Sequence, residues 1–415
     1  MERNFTIVAA ALVAAMTALA IMRGRSHLLI WVPRYLLGAP ARRARRQRAR
    51  AAATRHLIFC LADHFEPGWG QPGLAVERQR VDAWLEHYPA LASQFCDASG
   101  RHPQHTFFYP CEEYRPEHLD KLARMVADGW GEVEIHLHHD RDTAVGLAQT
   151  LEDFKRKLRS HGLLGSACCP LPGESSEAIR FGFIHGNWAL DNSRPDGRWC
   201  GVNDELGVLR RLGCYADFTL PSAPSPTQTR KTNSIYWATD DPQRPKSHDI
   251  GRDAVVGEAP VGDLLIIQGP LALDWRARKW GLLPAVENGE VTAARLPSPR
   301  RVRLWAGLGI GIVGRPEWTF VKVYTHGCEE RNTEVLFGEP ALLMHQTLQR
   351  EYNDGRRWRL HYVTAREMYN IIIAACAGHS GDPDEYRDFA VLPPPVARRR
   401  ANAYGSAVSL TREIH

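Results

Sequence analysis

The densest group of potentially reactive side chains lies in the segment HLHHDRD, residues 136–142. If this segment ends a strand, His136 and His138 point to the same face, and their two imidazoles can converge on one ion. His139 and Asp142 follow in the loop beyond and could reach the same place. The spacing therefore predicts a site for a divalent metal, with zinc as the expected ion.

A second group of such side chains follows the first candidate strand, in the segment ADHFEP. A zinc site needs a further ligand from elsewhere in the chain, and Asp63 and His64 are the candidates. Asp63 or Glu66 would accept the proton of an attacking water. At the end of the last candidate strand, His326 precedes a glycine and is the candidate general acid. These residues predict metal-assisted hydrolysis.

The fourth candidate strand ends in the segment IHGNW, with an aspartate soon after. Its imidazole, amide, indole and carboxylate groups are candidates for substrate binding: His185, Asn187, Trp188 and Asp191. Aromatic rings can also stack on the faces of sugars, although most of the 12 tryptophans are expected in the core.

These side chains need a scaffold that brings strand ends together. Apolar segments predict strands at 56–63, 105–110, 132–138, 179–185, 214–220, 263–269 and 318–326. Segments with a helical period lie between several of them, at 76–95, 116–125, 143–158, 204–212 and 339–352. This alternation predicts an α/β fold, a distorted (β/α) barrel of about seven parallel strands, whose ligands would bind at the carboxyl ends of the strands.

These motifs resemble the polysaccharide deacetylase superfamily of metal-dependent carbohydrate esterases, in a divergent bacterial branch. The resemblance covers about 56–369. It implies a metal held by one Asp and two His, a second Asp as base and a late His as acid. By the resemblance Asp63 takes the base position and His64 the ligand position, or the reverse. The metal ligands would then be Asp63, His64, His136 and His138, with the third ligand open among Asp63, His64, His139 and Asp142.

The chain also departs from the family pattern. The family's two histidines four residues apart are replaced here by His136, His138 and His139, and the four-residue spacing pairs His138 with Asp142. Residues 183–188 (FIHGNW) do not match the family's Arg-x-Pro-aromatic segment. The resemblance implies a hydrolase that removes acetyl groups from a glycan or lipid-linked sugar, in exopolysaccharide or cell-envelope metabolism. The departures leave a non-catalytic saccharide- or partner-binding member of an exopolysaccharide assembly system as the alternative.

The amino-terminal segment has a different character from the rest of the chain. Residues 4–22 contain no charge and are long enough to cross a bilayer; a cleaved signal peptide is the alternative, because Ala18-Leu19-Ala20 has small-x-small character. The arginines that follow predict a single-pass protein of the inner membrane with its soluble domain in the cytoplasm. The predicted parts are a transmembrane anchor (1–25), a basic juxtamembrane segment (26–54), a deacetylase-like barrel (55–390) with a loop insertion at about 221–262, and a tail (391–415).

The net charge of +5 over 415 residues conceals an uneven distribution. Residues 1–54 carry ten Arg and one Glu, so the remainder of the chain is slightly acidic. The block ARRARRQRAR at 41–50 is expected to attract anionic lipid, and nucleic acid is not an expected partner. Nine cysteines, an odd number and mostly unclustered, agree with a reducing compartment.

Overall fold

The computed structural model describes residues 27–169, 178–279 and 283–398. Its helices are α1 (Leu28–Leu37), α2 (Ala39–Ala51), α3 (Leu74–Ala92), α4 (Pro116–Ala127), α5 (Ala144–Ser160), α6 (Glu205–Arg211), α7 (Pro299–Leu308), α8 (Thr333–Phe337), α9 (Glu339–Tyr352) and α10 (Ala365–Cys376). Its strands are β1 (Arg55–His64), β2 (His105–Pro110), β3 (Gly131–Leu137), β4 (Gly165–Ala167), β5 (Ile179–His185), β6 (Cys214–Asp217), β7 (Ile235–Ala238), β8 (Arg252–Asp253), β9 (Leu264–Ile267), β10 (Ala272–Lys279), β11 (Leu283–Glu287), β12 (Trp318–Thr325), β13 (Trp358–Tyr362) and β14 (Val391–Leu392). A strand lies at each predicted strand position and a helix at each predicted helix position.

Twelve of these strands form one mixed sheet, in the order β12-β1-β2-β3-β5-β6-β9-β7-β8 with β13, β4 and β14 beside it. The strands from β12 to β9 are parallel, and β7 and β8 are antiparallel to their neighbours. The ladder does not close on itself, so the prediction of a barrel is wrong. The reason lies in the insertion at 221–262: its strand β7 pairs with β9 and takes the edge that a closing strand would need.

The two faces of β1 show how the sequence builds the layers around this sheet. Leu57, Phe59 and Leu61 belong to the core on one face, which packs against α3 and α4. Ile58 and Cys60 alternate with them and belong to a separate core on the other face. A strand buried on both faces reads as a continuous apolar run, as this one does.

Residues 27–54 of the predicted basic segment fold onto the domain. Trp31 is fully buried in α1 and packs with Leu271 and Leu273. In α2, the Arg45 guanidinium donates to the carbonyl oxygens of Gly311 and Ile312 at 2.9 and 3.1 Å. The stretch 27–37 of the predicted juxtamembrane segment therefore contributes to the protein core.

The membrane-spanning helix predicted at 4–22 lies outside the described residues. Over 27–169, 178–279 and 283–398, no helix combines the length and the hydropathy that crossing a bilayer requires. The predicted location, a single-pass protein of the inner membrane, is therefore not supported. The predicted tail begins inside the fold, because Val391 pairs with Ala167 as the start of β14.

Glu134 on β3 gives a test of this packing. Its carboxylate accepts hydrogen bonds from the Tyr215 hydroxyl at 2.6 Å and the Gly182 amide at 2.5 Å. Burial raises the pKa of Glu134 to about 8. The native state therefore keeps this proton while the unfolded chain loses it near its ordinary value, and stability falls as the pH rises between those two values.

Glu134→Gln removes this titration, because the amide resembles the protonated carboxyl group. The free energy of unfolding of the variant, relative to wild type, should rise between pH 5 and 8 by at most about 1.4 kcal/mol per pH unit. Urea denaturation at several pH values measures this difference. Glu86→Gln, at an exposed position on α3, is the control. Parallel pH profiles for Glu134→Gln and wild type would contradict the prediction.

Candidate metal centre

The carboxyl ends of β1, β3 and β12 meet at one edge of the sheet, where parallel α/β proteins bind ligands. Four histidines and one carboxylate from these strand ends form a group that we call the His/Glu cluster: His64, Glu66, His136, His138 and His326. The first four belong to the predicted metal and catalytic residues, and His326 is the predicted general acid. The structure therefore brings together side chains up to 262 positions apart in the sequence.

Glu66 lies at the centre of the cluster. One of its oxygens is 3.0 Å from His138 Nε2 and 3.5 Å from His136 Nε2. The ligand atoms of Glu66, His136 and His138 all lie within 4.8 Å of one another, as do those of Glu66, His64 and His326. These separations allow one ion to contact the carboxylate and several imidazoles.

The histidine rings pack edge to face or stack in a continuous group. The His64 ring is 4.9 Å from the His136 ring and 4.7 Å from the His326 ring, centroid to centroid. His64 and His136 are buried, whereas His326 is half-buried. The inner rings are therefore placed to hold an ion, and His326 is placed at the border with solvent.

The electrostatics of the cluster favour positive charge beside Glu66. Burial alone would raise the pKa of Glu66, but its contacts with His136 and His138 hold that pKa well below its usual range. Burial would lower the pKa of His138, but hydrogen bonds to Glu112 and Glu66 raise it to about 10. Glu66 is therefore an anion whose balancing positive charge comes from His138 when no ion is bound.

The donor set fits a metal ion by a second observation. Nδ1 of His136 and Nδ1 of His64 are buried, and neither has a hydrogen-bond partner among the described residues. Unpaired buried nitrogens are costly unless a ligand satisfies them. Glu112 holds His138 from outside through a 2.5 Å contact with Nδ1, the way that carboxylates orient metal-binding histidines.

Asp63, predicted as both ligand and base, points away from the cluster. Its carboxylate contacts His105 Nε2 at 3.0 Å and accepts a hydrogen bond from the Gly327 amide at 2.6 Å. A side chain at Gly327 would overlap this carboxylate, which is why glycine follows His326. Asp63 thus fixes the backbone beside His326. The alternation of side chains along a strand could have predicted that Asp63 and His64 point to opposite faces. Asp63 lies on the same face as Leu61, and His64 lies on the other.

The predicted substrate-binding residues divide into two groups. Trp188 is half-buried and lies 5.5 Å from the His64 ring and 5.9 Å from the His326 ring, at the edge of the cluster. Its neighbour Asn187 is also half-buried. His185 and Asp191 are fully buried.

The structure also reveals a neighbouring group that the sequence did not predict as a unit. His139, His185, Cys200 and Glu205 bring four potential ligand atoms within 4.8 Å of one another, and we call them the Cys200 cluster. His139, left open as a ligand of the first site, thus belongs to a different group, and Asp142 contacts it at 3.1 Å. Cys200 and Glu205 carry no recognisable motif, so only the histidines gave a signal.

No protein-family model matches this chain, and no curated protein is detectably similar to it. The resemblance to the polysaccharide deacetylase superfamily therefore stays a prediction drawn from short motifs. The class of site, a buried group of imidazoles around one carboxylate at the carboxyl edge of a parallel sheet, comes from the geometry alone.

Proposed function

We propose that the protein is a metal-dependent hydrolase that removes acetyl groups from a glycan or a lipid-linked sugar. The observation that carries the proposal is the position of Glu66, a buried carboxylate within 3.0 to 3.5 Å of two histidine rings at the ligand-binding edge of the sheet. The acetylated saccharide follows from the motif resemblance, and the hydrolytic chemistry follows from the types of the clustered residues.

His64, His136 and His138 are the nitrogen donors that would hold the ion, and such imidazoles suit zinc. When bound, a divalent ion polarises a carbonyl group and lowers the pKa of water. Asp63 is not among the proposed ligands, because its carboxylate is occupied by His105 and Gly327.

The chain supplies the proton transfers. Glu66 is ionised and can accept the proton of the attacking water. His326 stacks on His64 while remaining half-buried, so its ring can donate a proton to a leaving amine or alkoxide at the solvent border. The proton acceptor and the proton donor lie close together, because the ligand atoms of Glu66, His64 and His326 are all within 4.8 Å of one another.

Trp188 supplies an apolar surface beside these groups. Its ring contacts both His64 and His326, and its indole nitrogen is buried without a hydrogen-bond partner among the described residues. A saccharide could pack its C–H face on the indole. This arrangement supports a sugar as the substrate class.

The test is acetate release from N- and O-acetylated oligosaccharides by the purified full chain loaded with zinc. His136→Ala combined with His138→Ala should lose the ion of the His/Glu cluster and reduce turnover to background, because two nitrogen donors are removed. Acetate release and metal content are measured on the same samples. Full metal occupancy in this double variant would contradict the proposed site.

The matched control replaces two histidines outside the cluster, His87→Ala with His379→Ala, both at exposed positions. This variant should keep its metal and its turnover. Saccharide binding by the zinc-loaded wild type with no acetate release across N- and O-acetylated substrates would overturn the catalytic proposal. That result would favour the non-catalytic saccharide-binding function.

A further inference from the structure

We propose that the Cys200 cluster is a second metal site, in which His139, His185, Cys200 and Glu205 hold a zinc-class ion with a structural role. The four residues come from four segments: the loop after β3, the end of β5, the loop after residues 190–192, and the first turn of α6. The site is distinct from the His/Glu cluster and does not depend on the hydrolytic activity proposed for it.

The distances agree with tetrahedral coordination. Zinc bonds of about 2.0 Å to nitrogen or oxygen and about 2.3 Å to sulfur place ligand atoms roughly 3.3 to 3.5 Å apart around a tetrahedron. Glu205 Oε1 is 3.2 Å from His139 Nε2 and 4.0 Å from His185 Nε2. Cys200 Sγ is 3.4 Å from the other oxygen of Glu205. Small adjustments would place all four groups around one ion.

His185 points independently to a ligand. The residue is fully buried, and neither of its ring nitrogens has a hydrogen-bond partner among the described residues. Its ring lies 4.8 Å from the His139 ring, so it faces the cluster. Burial of an imidazole with two unpaired nitrogens is unfavourable unless a ligand binds one of those nitrogens.

The other groups are oriented as metal ligands are. Asp142 contacts Nδ1 of His139 at 3.1 Å, which leaves Nε2 facing the cluster, as in carboxylate–histidine–zinc arrangements. The Cys200 sulfur accepts hydrogen bonds from the backbone amides of Asn192 and Val202 at 3.3 and 3.5 Å.

Such a site would fix the wall beside the first cluster. Four protein ligands leave no open position, which is typical of structural rather than catalytic zinc. The ion would join the end of β5 to the loop that carries Cys200, and Trp188 lies between them in the sequence. The second metal would thus hold in place the indole that borders His64.

The test uses Co²⁺ as a spectroscopic probe, because a cobalt–thiolate bond gives a charge-transfer band in the near ultraviolet. The full chain carries Cys168→Ser and Cys169→Ser as the background, since these adjacent exposed cysteines could also bind metal. The cobalt-loaded background protein should show the band. Addition of Cys200→Ser should abolish it and remove one metal ion per chain, measured by elemental analysis.

Further variants separate this site from the first one. His136→Ala with His138→Ala should keep the band, whether or not the proposed function is correct. Cys214→Ser replaces another buried cysteine, whose sulfur lies 3.4 Å from the carbonyl oxygen of Ala216, and should also keep the band. If Cys200→Ser does not fold, Cys200→Asp retains an anionic ligand and should keep the ion without the band. Absence of the band in the background protein, or its persistence in either Cys200 variant, would overturn the proposal.

Discussion

Replacing Glu66 with glutamine is expected to lower acetate release by at least about 100-fold, since a positioned proton acceptor contributes about 10² to 10⁴ in rate. Glu66 is buried, contacts His136 and His138, and is the one carboxylate of the His/Glu cluster. The amide keeps the shape of the side chain but cannot accept a proton from water. Initial rates of acetate release at saturating zinc measure the effect.

Glu112→Gln is the matched control for this variant. Glu112 also contacts His138, but from the outer side, and its side chain is 37% exposed. It orients the ring without being placed to accept the proton of water, so the loss should be about 10- to 100-fold and appear mainly as weaker metal affinity. A Glu66→Gln protein as active as wild type, or a larger loss for Glu112→Gln, would contradict the assigned roles.

Replacing Arg387 with leucine is expected to cost about 3 to 5 kcal/mol in the free energy of unfolding at neutral pH, because it leaves buried carboxylates without their cation. Arg387 is buried and contacts Asp97 at 3.0 Å and Glu367 at 2.9 Å, together with Asp384. Both Asp97 and Glu367 are themselves buried. Urea denaturation followed by circular dichroism measures the change.

The pH dependence of this loss gives a second readout. Burial raises the pKa of Asp97 even though Arg387 opposes the rise, and loss of the guanidinium should raise it further. The native variant then binds a proton more readily than its unfolded chain, so the deficit should shrink as the pH falls toward 5. Arg350→Leu, which removes a 65% exposed side chain paired with Glu351, should change stability by less than about 0.5 kcal/mol. A similar loss for both arginine variants would refute the prediction.

The sequence predicts the elements of this fold well because each strand carries its own apolar signal. The predicted strands at 105–110 and 179–185 coincide with β2 and β5. Closure of a barrel, by contrast, depends on which edge each strand finds. The pairing of β7 with β9 joins two segments that are separated in the sequence. No local sequence pattern specifies which edge of the sheet β7 will join.

For the candidate site, the sequence likewise predicts which strand ends meet but not where each side chain points. Parallel strands bring their carboxyl ends together, so the meeting of His64, His136 and His326 follows from the topology. The direction of each side chain does not follow from position alone: Asp63 and His64 are adjacent, yet they contact different groups. Cys200 and Glu205 lie in a loop and a short helix without periodicity, so their convergence with His185 appears only in three dimensions.

The helices α1 and α2 pack on the domain and cover apolar side chains. Trp31 fills a site formed with Leu271 and Leu273, and Arg46 donates to the carbonyl oxygen of Gly307 near the end of α7. A fragment that began at Arg55 would therefore lose the Trp31 side chain from this apolar cluster. It would also lose the hydrogen bonds that Arg45 and Arg46 donate to the domain. The apolar site that Trp31 fills would then be exposed to solvent and would favour self-association. The shortest version of the domain that avoids this exposure therefore begins ahead of Leu28.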